Sequence, residues 1–273
     1  MNTSQAPRNS YVRSLARGLS VICSFTADSR IQTVSQVATA TGLDRAGARR
    51  MLRTLETLGY VRREGLRFQL TPRVLNLANV YLSAAPLRTV VEPTMEKLVR
   101  TVNESCSASV LDGTEIVYVA TVPVNRIMAI NLSVGSRLPA YCTSQGRVLL
   151  GGHTKSELNR VLEQSNIRKH TKYTVTSIPR LIRMIRRAQE RGWALTNQEV
   201  EEGICSLSVP IVERSGRIIA AISVAGSPSR TTPKVMISTV LPRLRQAAQE
   251  IGSLLGSSLQ IPDTSSSRLS AVR

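Results

Sequence analysis

Histidines, aromatic residues and carboxylates are all scarce in this 273-residue chain, and each scarcity closes off a class of function. With only His153 and His170 there is little material for a histidine-based acid–base site. No GxSxG, P-loop, HExxH or GxGxxG pattern occurs, so the familiar hydrolase and nucleotide sites have no anchor. Aromatics make up 3% of the residues, which argues against docking on a membrane through ring anchors. Cys23, Cys106, Cys142 and Cys205 stand far apart without a CxxC, and two histidines add no zinc-ligand spacing. The cysteines read as free thiols in a reducing cytoplasm, with a disulfide pair as the alternative. Neither a metal nor a cofactor is expected. No segment approaches the roughly 20 apolar residues that span a bilayer. Arg13 and Arg17 before Leu19–Phe25 imitate a signal peptide, but Ser20 and Ser24 interrupt the run.

What remains is apolar residues and positive charge. Hydrophobic residues at 42% build cores without staples, and the length suits two domains. The 36 Lys+Arg against 18 Asp+Glu leave a formal charge of +18. Such a surplus favours a polyanionic partner, and nucleic acid and anionic membrane both qualify.

The apolar periodicity divides the chain. Val12, Leu15, Ala16, Leu19, Ile22 and Cys23 fall at helical spacing. Thr33 reads as the N-cap of a short helix that buries Val34, Val37 and Ala38 and breaks at Gly42. Asp44 caps the next helix, with Ala48, Met51 or Leu52, Leu55 and Leu58 inward and Gly59 just past its end. The period then changes, and residues 60–70 read as a hairpin around Glu64-Gly65. Three helices and a hairpin predict a winged helix-turn-helix over 11–71. Thr71-Pro72 opens a connector helix over 72–85 that stops before Pro86. Residues 86–257 predict an α+β domain. Its helices fall near 89–104, 143–151, 154–163, 177–191 and 233–256. Its strands fall near 106–111, 115–121, 126–133, 193–197, 205–212 and 217–225. The Ser-rich tail, 258–273, is expected to be disordered.

The 34–58 stretch has the sterics of a helix-turn-helix, with small Ala38 four residues before permissive Gly42. Its second helix would lie in a DNA major groove. Arg45, Arg49 and Arg53 recur every four residues there, Arg50 stands beside them, and no carboxylate intervenes. Arginine suits the role, because its fork donates to guanine O6 and N7 together or grips phosphate. Residues 11–73 hold eleven arginines against four carboxylates, a net of +7. Arg62, Arg63 and Arg67 fall on the hairpin, where a wing would meet phosphate or the minor groove. A solvated basic face is the bland alternative.

The run from Gly42 to Leu55, continued by Leu58-Gly59-Tyr60-Val61, resembles the recognition helix and wing of IclR-type transcriptional regulators. It is most similar to the branch that controls catabolism of p-hydroxybenzoate, protocatechuate and β-ketoadipate. Gly47 departs from the alanine usual in that branch, and a helical glycine costs about 1 kcal/mol relative to alanine. Two further stretches carry the likeness, Val134–Leu150 and Gly192–Pro210.

The resemblance implies a GAF-like sensor domain and a regulator that binds double-stranded operator DNA as a dimer or dimer of dimers. It also implies a small-molecule effector in a pocket lined by Ser144, Gln145, Thr196, Ser206, Ser223 and Ala225. Relatives often hold an acidic residue at the Thr196 position and can hold serine at the Ala225 position. The chemistry of the residues agrees, because a loop with Thr143, Ser144 and Gly146 at a helix start presents amides suited to a carboxylate. Arg137 and Arg147 are candidate counter-ions for an organic-acid effector, and Arg147 reads equally well as an exposed helix residue. Cys142 and Cys205 read as small apolar fillers before redox sensors. The basic run Arg180–Arg191 reads as a solvated face, or as reinforcement of DNA or membrane attraction. A peripheral membrane protein and a small-molecule-metabolising protein are the competing classes.

Overall fold

The computed structural model describes residues 11–26, 28–77, 87–125 and 133–258. These fall in two compact units, 1–84 and 85–273. The expected connector beyond residue 77, most of the expected 126–133 strand and the expected tail beyond Ser258 lie outside the described residues.

The first unit begins with helix α1, Arg13–Cys23, which buries only Val21 outright. Strand β1, Ile31–Thr33, leads directly into helix α2, Val34–Thr41. Thr33 caps α2, and Gln36 returns a 2.8 Å bond to the Thr33 N–H, so two orphan donors are satisfied reciprocally. Gly42, at φ +67°, turns the chain into helix α3, Arg45–Thr57, capped by Asp44. Strands β2, Val61–Glu64, and β3, Arg67–Leu70, form the hairpin. The sheet order is β1-β3-β2, so the short β1 covers the outer edge of β3. Val21, Val37, Ala38, Ala48, Leu52, Leu55, Val61 and Phe68 make one core. Leu58, expected inside, stands half exposed because α3 has already ended at Thr57. Thr71 caps a 3-10 turn, Pro72–Val74.

The second unit is built on a six-stranded antiparallel sheet, with mixed helix and strand content as expected. Helix α4, Leu87–Val102, is followed by the hairpin β4, Ser105–Asp112, and β5, Glu115–Val122. Strand β6, Arg137–Pro139, leads through a 3-10 turn, Ala140–Cys142, into α5, Ser144–Gly151. Helices α6, Lys155–Gln164, and α7, Ile178–Arg191, precede β7, Ala194–Asn197. The hairpin β8, Cys205–Val212, and β9, Ile218–Gly226, ends the sheet, whose order is β6-β5-β4-β9-β8-β7. The last helical segments are α8, Pro233–Val235, one π-helical turn, Met236–Val240, and α9, Leu241–Ser258. Among the described residues, no helix is long and apolar enough to cross a membrane.

Strand alternation sorts the sheet into two faces. Cys205, Leu207, Val209 and Ile211 of β8, with Ala220, Ile222 and Val224 of β9, join a core with α4 and α9. The other face carries α5, α6 and α7 and a second apolar cluster. That face is small and hydroxylated where α5 lies on it, with Ser107 and Ser109 from β4, Ser206 and Ser208 from β8, and Ser223 from β9.

Candidate functional site: a basic winged helix and a serine-lined cavity

On α3, Gly47, Ala48, Leu52 and Leu55 face the core, which leaves Arg45, Arg49, Arg50 and Arg53 in solvent. Arg49 and Arg53 stand one turn apart, and Arg50 lies a step around the helix. The hairpin register splits the wing arginines. Arg62 lies opposite Gln69 and Arg67 opposite Glu64, so all four share one face. Arg63 lies opposite the buried Phe68 and projects from the other side, where it donates to the Gly65 carbonyl at 2.8 Å. Arg62 makes only a loose exposed ion pair with Glu64 at 3.5 Å.

In the second unit, α5 is buried along its whole length. Gly146 makes this possible, because a Cβ there would fall 2.1 Å from the Ala140 carbonyl oxygen. Ser144 meets Ser206 at 2.8 Å and Ser208 at 2.6 Å, and Gln145 donates to the carbonyls of Ser107 and Ala221. Thr143 caps the Gly146 N–H, and the Arg147 N–H starts the helical ladder. The amides of Ser144 and Gln145 therefore open the helix ahead of its first internal bond. Ser144 and Gln145 line a cavity of about 120 Å³.

Ser144, Gln145, Thr196, Ser206, Ser223 and Ala225 all line that cavity, so six of the expected residues come together. Tyr118, Leu138, Val200 and Ile204 supply apolar wall. Ser107 and Ser223 meet at 3.0 Å within the lining. Ser107, Tyr118, Glu199 and Glu201 are lining residues that the sequence reasoning missed, while Thr143, read as part of the helix-start loop, also lines the cavity. The signal for Ser107 was present in the alternation Ser105-Cys106-Ser107-Ala108-Ser109, which puts hydroxyls on one face of β4.

Two expectations are corrected. Arg137 does not line the cavity; it lies on the outer face of β6 and donates to Asp112 and Glu115, each at 2.7 Å. Strand alternation gives the inward position to its neighbour Leu138 instead. Arg147 is neither exposed nor free, being 1% exposed. It makes a two-pronged ion pair with Glu199, at 2.7 and 2.6 Å, and donates to the Tyr141 carbonyl at 3.0 Å. Cys142 and Cys205 are buried, and burial pushes both thiols up to about 11, which keeps them protonated near neutral pH.

Residues 14–65 match the IclR helix-turn-helix domain, and residues 79–253 match the bacterial transcriptional regulator IclR C-terminal domain. The chain belongs to the IclR family of transcriptional regulators. The Pca regulon regulatory protein of Pseudomonas putida is 36% identical over 242 residues, 88% of this chain and 83% of that protein. The p-hydroxybenzoate hydroxylase transcriptional activator of Acinetobacter baylyi is 33% identical, over 90% of this chain and 92% of that protein. An IclR homologue from Microbacterium hydrocarbonoxydans, solved with 4-hydroxybenzoate, superposes with a TM-score of 0.79 at 25% identity, covering 89% of this chain and 99% of that one. As an IclR regulator the chain combines a helix-turn-helix domain with the IclR C-terminal domain.

Arg147 and Glu199 should behave as a unit. Removing one partner of a buried pair leaves the other charge uncompensated, so Arg147→Met should cost about 3–5 kcal/mol. Adding Glu199→Leu should restore most of it. Urea unfolding of the single and double variants checks this, and equal losses in both would refute the coupling.

Proposed function

We propose that this IclR regulator reads a double-stranded operator through α3 and the wing, and that a small organic acid in the sensor cavity modulates the binding. Binding to the chromosome sets its place in the cytoplasm. The acid is aromatic or a product of aromatic breakdown. The observation that carries the effector reading is the cavity itself: hydroxyls, an apolar wall and the first residues of α5 converge there, and a helix start suits a carboxylate. The relatives that govern p-hydroxybenzoate and pca genes, and the homologue holding 4-hydroxybenzoate, favour the same ligand class.

Arg45, Arg49 and Arg50 sit toward the N-terminal part of α3, the end that reaches base edges in this docking mode. Arg53 lies a turn further on, and Arg62 and Arg67 share the hairpin face that has phosphate as the nearer target, while Arg63 projects from the other face. We further propose a homodimer or a pair of dimers, with α1 at the interface. Val12 at its N-cap and Leu15 and Leu19 along it are 59%, 63% and 50% exposed, an apolar stripe that a monomer would leave in water.

Three measurements test this reading. A base-reading arginine changed to alanine should cost about 1–3 kcal/mol on operator and relax discrimination at one base pair. Arg62→Ala and Arg67→Ala should weaken all sequences alike and lower the salt slope by about one unit. At least one of Arg45, Arg49 and Arg50 should show the first signature in operator versus scrambled-DNA titrations across salt. Uniform losses in all five variants would sink the recognition-helix assignment.

A true effector at 100 times its dissociation constant should add about 2.7 kcal/mol of stability, read as a rise in melting temperature. If saturating aromatic and dicarboxylic acids shift neither melting nor DNA binding while neutral or cationic compounds do, the effector reading is wrong. Light scattering at micromolar concentration should show at least a dimer, which Leu15→Glu with Leu19→Glu dissociates; a wild-type monomer with and without DNA would refute the assembly.

A further inference from the structure

The charges around the cavity are arranged in a way that the effector class alone does not require. One cation, Arg147, lies against the cavity wall on α5, and it is consumed. Both its terminal nitrogens are bound to Glu199 and its Nε is bound to the Tyr141 carbonyl. Arg137 is turned outward to Asp112 and Glu115. Among the described lining residues, none is a lysine or an arginine and two are carboxylates, Glu199 and Glu201.

The two carboxylates differ. Glu199 is buried and neutralised by Arg147, so its role is to hold the wall. Glu201 is exposed at the rim and has no ion pair among the described residues. The segment carrying both is fixed in place. Thr171 and Thr174 donate to the carbonyls of Gln198 and Glu199, each at 2.6 Å, and Gln198 accepts the Gly203 N–H. Glu201 is therefore presented on a braced turn.

We infer that the cavity admits a monocarboxylate and rejects a dicarboxylate, with Glu201 as a specificity-determining residue. This rests on the reading of the cavity as the effector site. One carboxylate has a place, at the opening amides of α5. A second carboxylate would have to shed its water beside hydroxyls and an apolar wall, with no cation among the described lining and a negative rim. A neutral hydroxyl meets no such cost, because Ser107, Thr196 and Ser223 both donate and accept. The discrimination thus comes from desolvation inside and repulsion at the rim, a rejecting element as well as an attracting one.

Calorimetric titration of the full-length protein with 4-hydroxybenzoate and with benzene-1,4-dicarboxylate isolates the second charge on one ring. Wild type should prefer the monoacid by at least about tenfold. Glu201→Gln should narrow that ratio, and Glu201→Arg should narrow it further, by about threefold or more at low salt, with the gain fading at high salt. Equal binding of the two acids by wild type, or a ratio unmoved in both variants, overturns the inference while leaving the acid site standing. If neither acid binds wild type but a neutral or cationic compound does, the effector reading falls and this inference with it.

Discussion

The sensor unit hangs on the ion pair between Arg147 and Glu199. Arg147 heads the largest fully buried side chains, and its partner lies 52 positions along the chain. Burying two charges costs several kcal/mol per ion unless geometry and further hydrogen bonds compensate. Here both prongs of the guanidinium meet both carboxylate oxygens, the Tyr141 carbonyl takes Nε, and Val175 donates its N–H to Glu199. A lysine would supply one point charge and no fork, so the planar guanidinium is what the geometry demands. The pair ties α5 to the β7–β8 connection, and the loop between α6 and α7 is tied to the same place through Thr171 and Thr174. Three segments distant in sequence thus share one electrostatic joint, and two of them wall the cavity.

That joint would not form unless α5 could sink onto the sheet. The sheet face beneath it is made of serine and alanine, which keeps the surface low. Gly146 lets the helix touch the Ala140 backbone, and Gly151 packs against Gln189 of α7. The hydroxyls that make the face low also make it polar, and each needs a partner when buried. Ser144 joins Ser206 and Ser208, and Ser107 joins Ser223, so the packing solution and the polar lining of the cavity are one arrangement. Ser109 Oγ is the exception, buried without a partner among the described residues.

The winged helix was legible because its signals are local. A capping box at Thr33 and Gln36, an αL glycine at 42 and a capping Asp44 each act within four residues. The three-residue strands β1 and β6 and the single π turn were missed because they are too short for any period to register. In the sensor, the family likeness brought six cavity residues together, whereas charge reasoning misplaced both arginines. Arg137 fails by strand parity, since its neighbour Leu138 holds the inward position. Arg147 fails because its partner is remote: no spacing rule connects positions 147 and 199, and only the folded sheet brings them within 2.6 Å.

On the function proposed, the two units handle anions by opposite physics. The DNA-binding face displays arginines in open solvent, where attraction to phosphate is strong at low salt and weakens as counter-ions compete. The cavity, in a chain with a surplus of 18 positive charges, is lined by hydroxyls and the start of α5, with no cation among its described lining. Donors fixed by a buried helix do not reorganise when the anion arrives, and mobile ions screen them far less than exposed charges. On the function proposed above, the division separates sensing of an acid from the grip on a polyanion. A free cation in the sensor would attract any phosphate or carboxylate in the cell, whereas directed neutral donors bind only an anion that also fits the apolar wall.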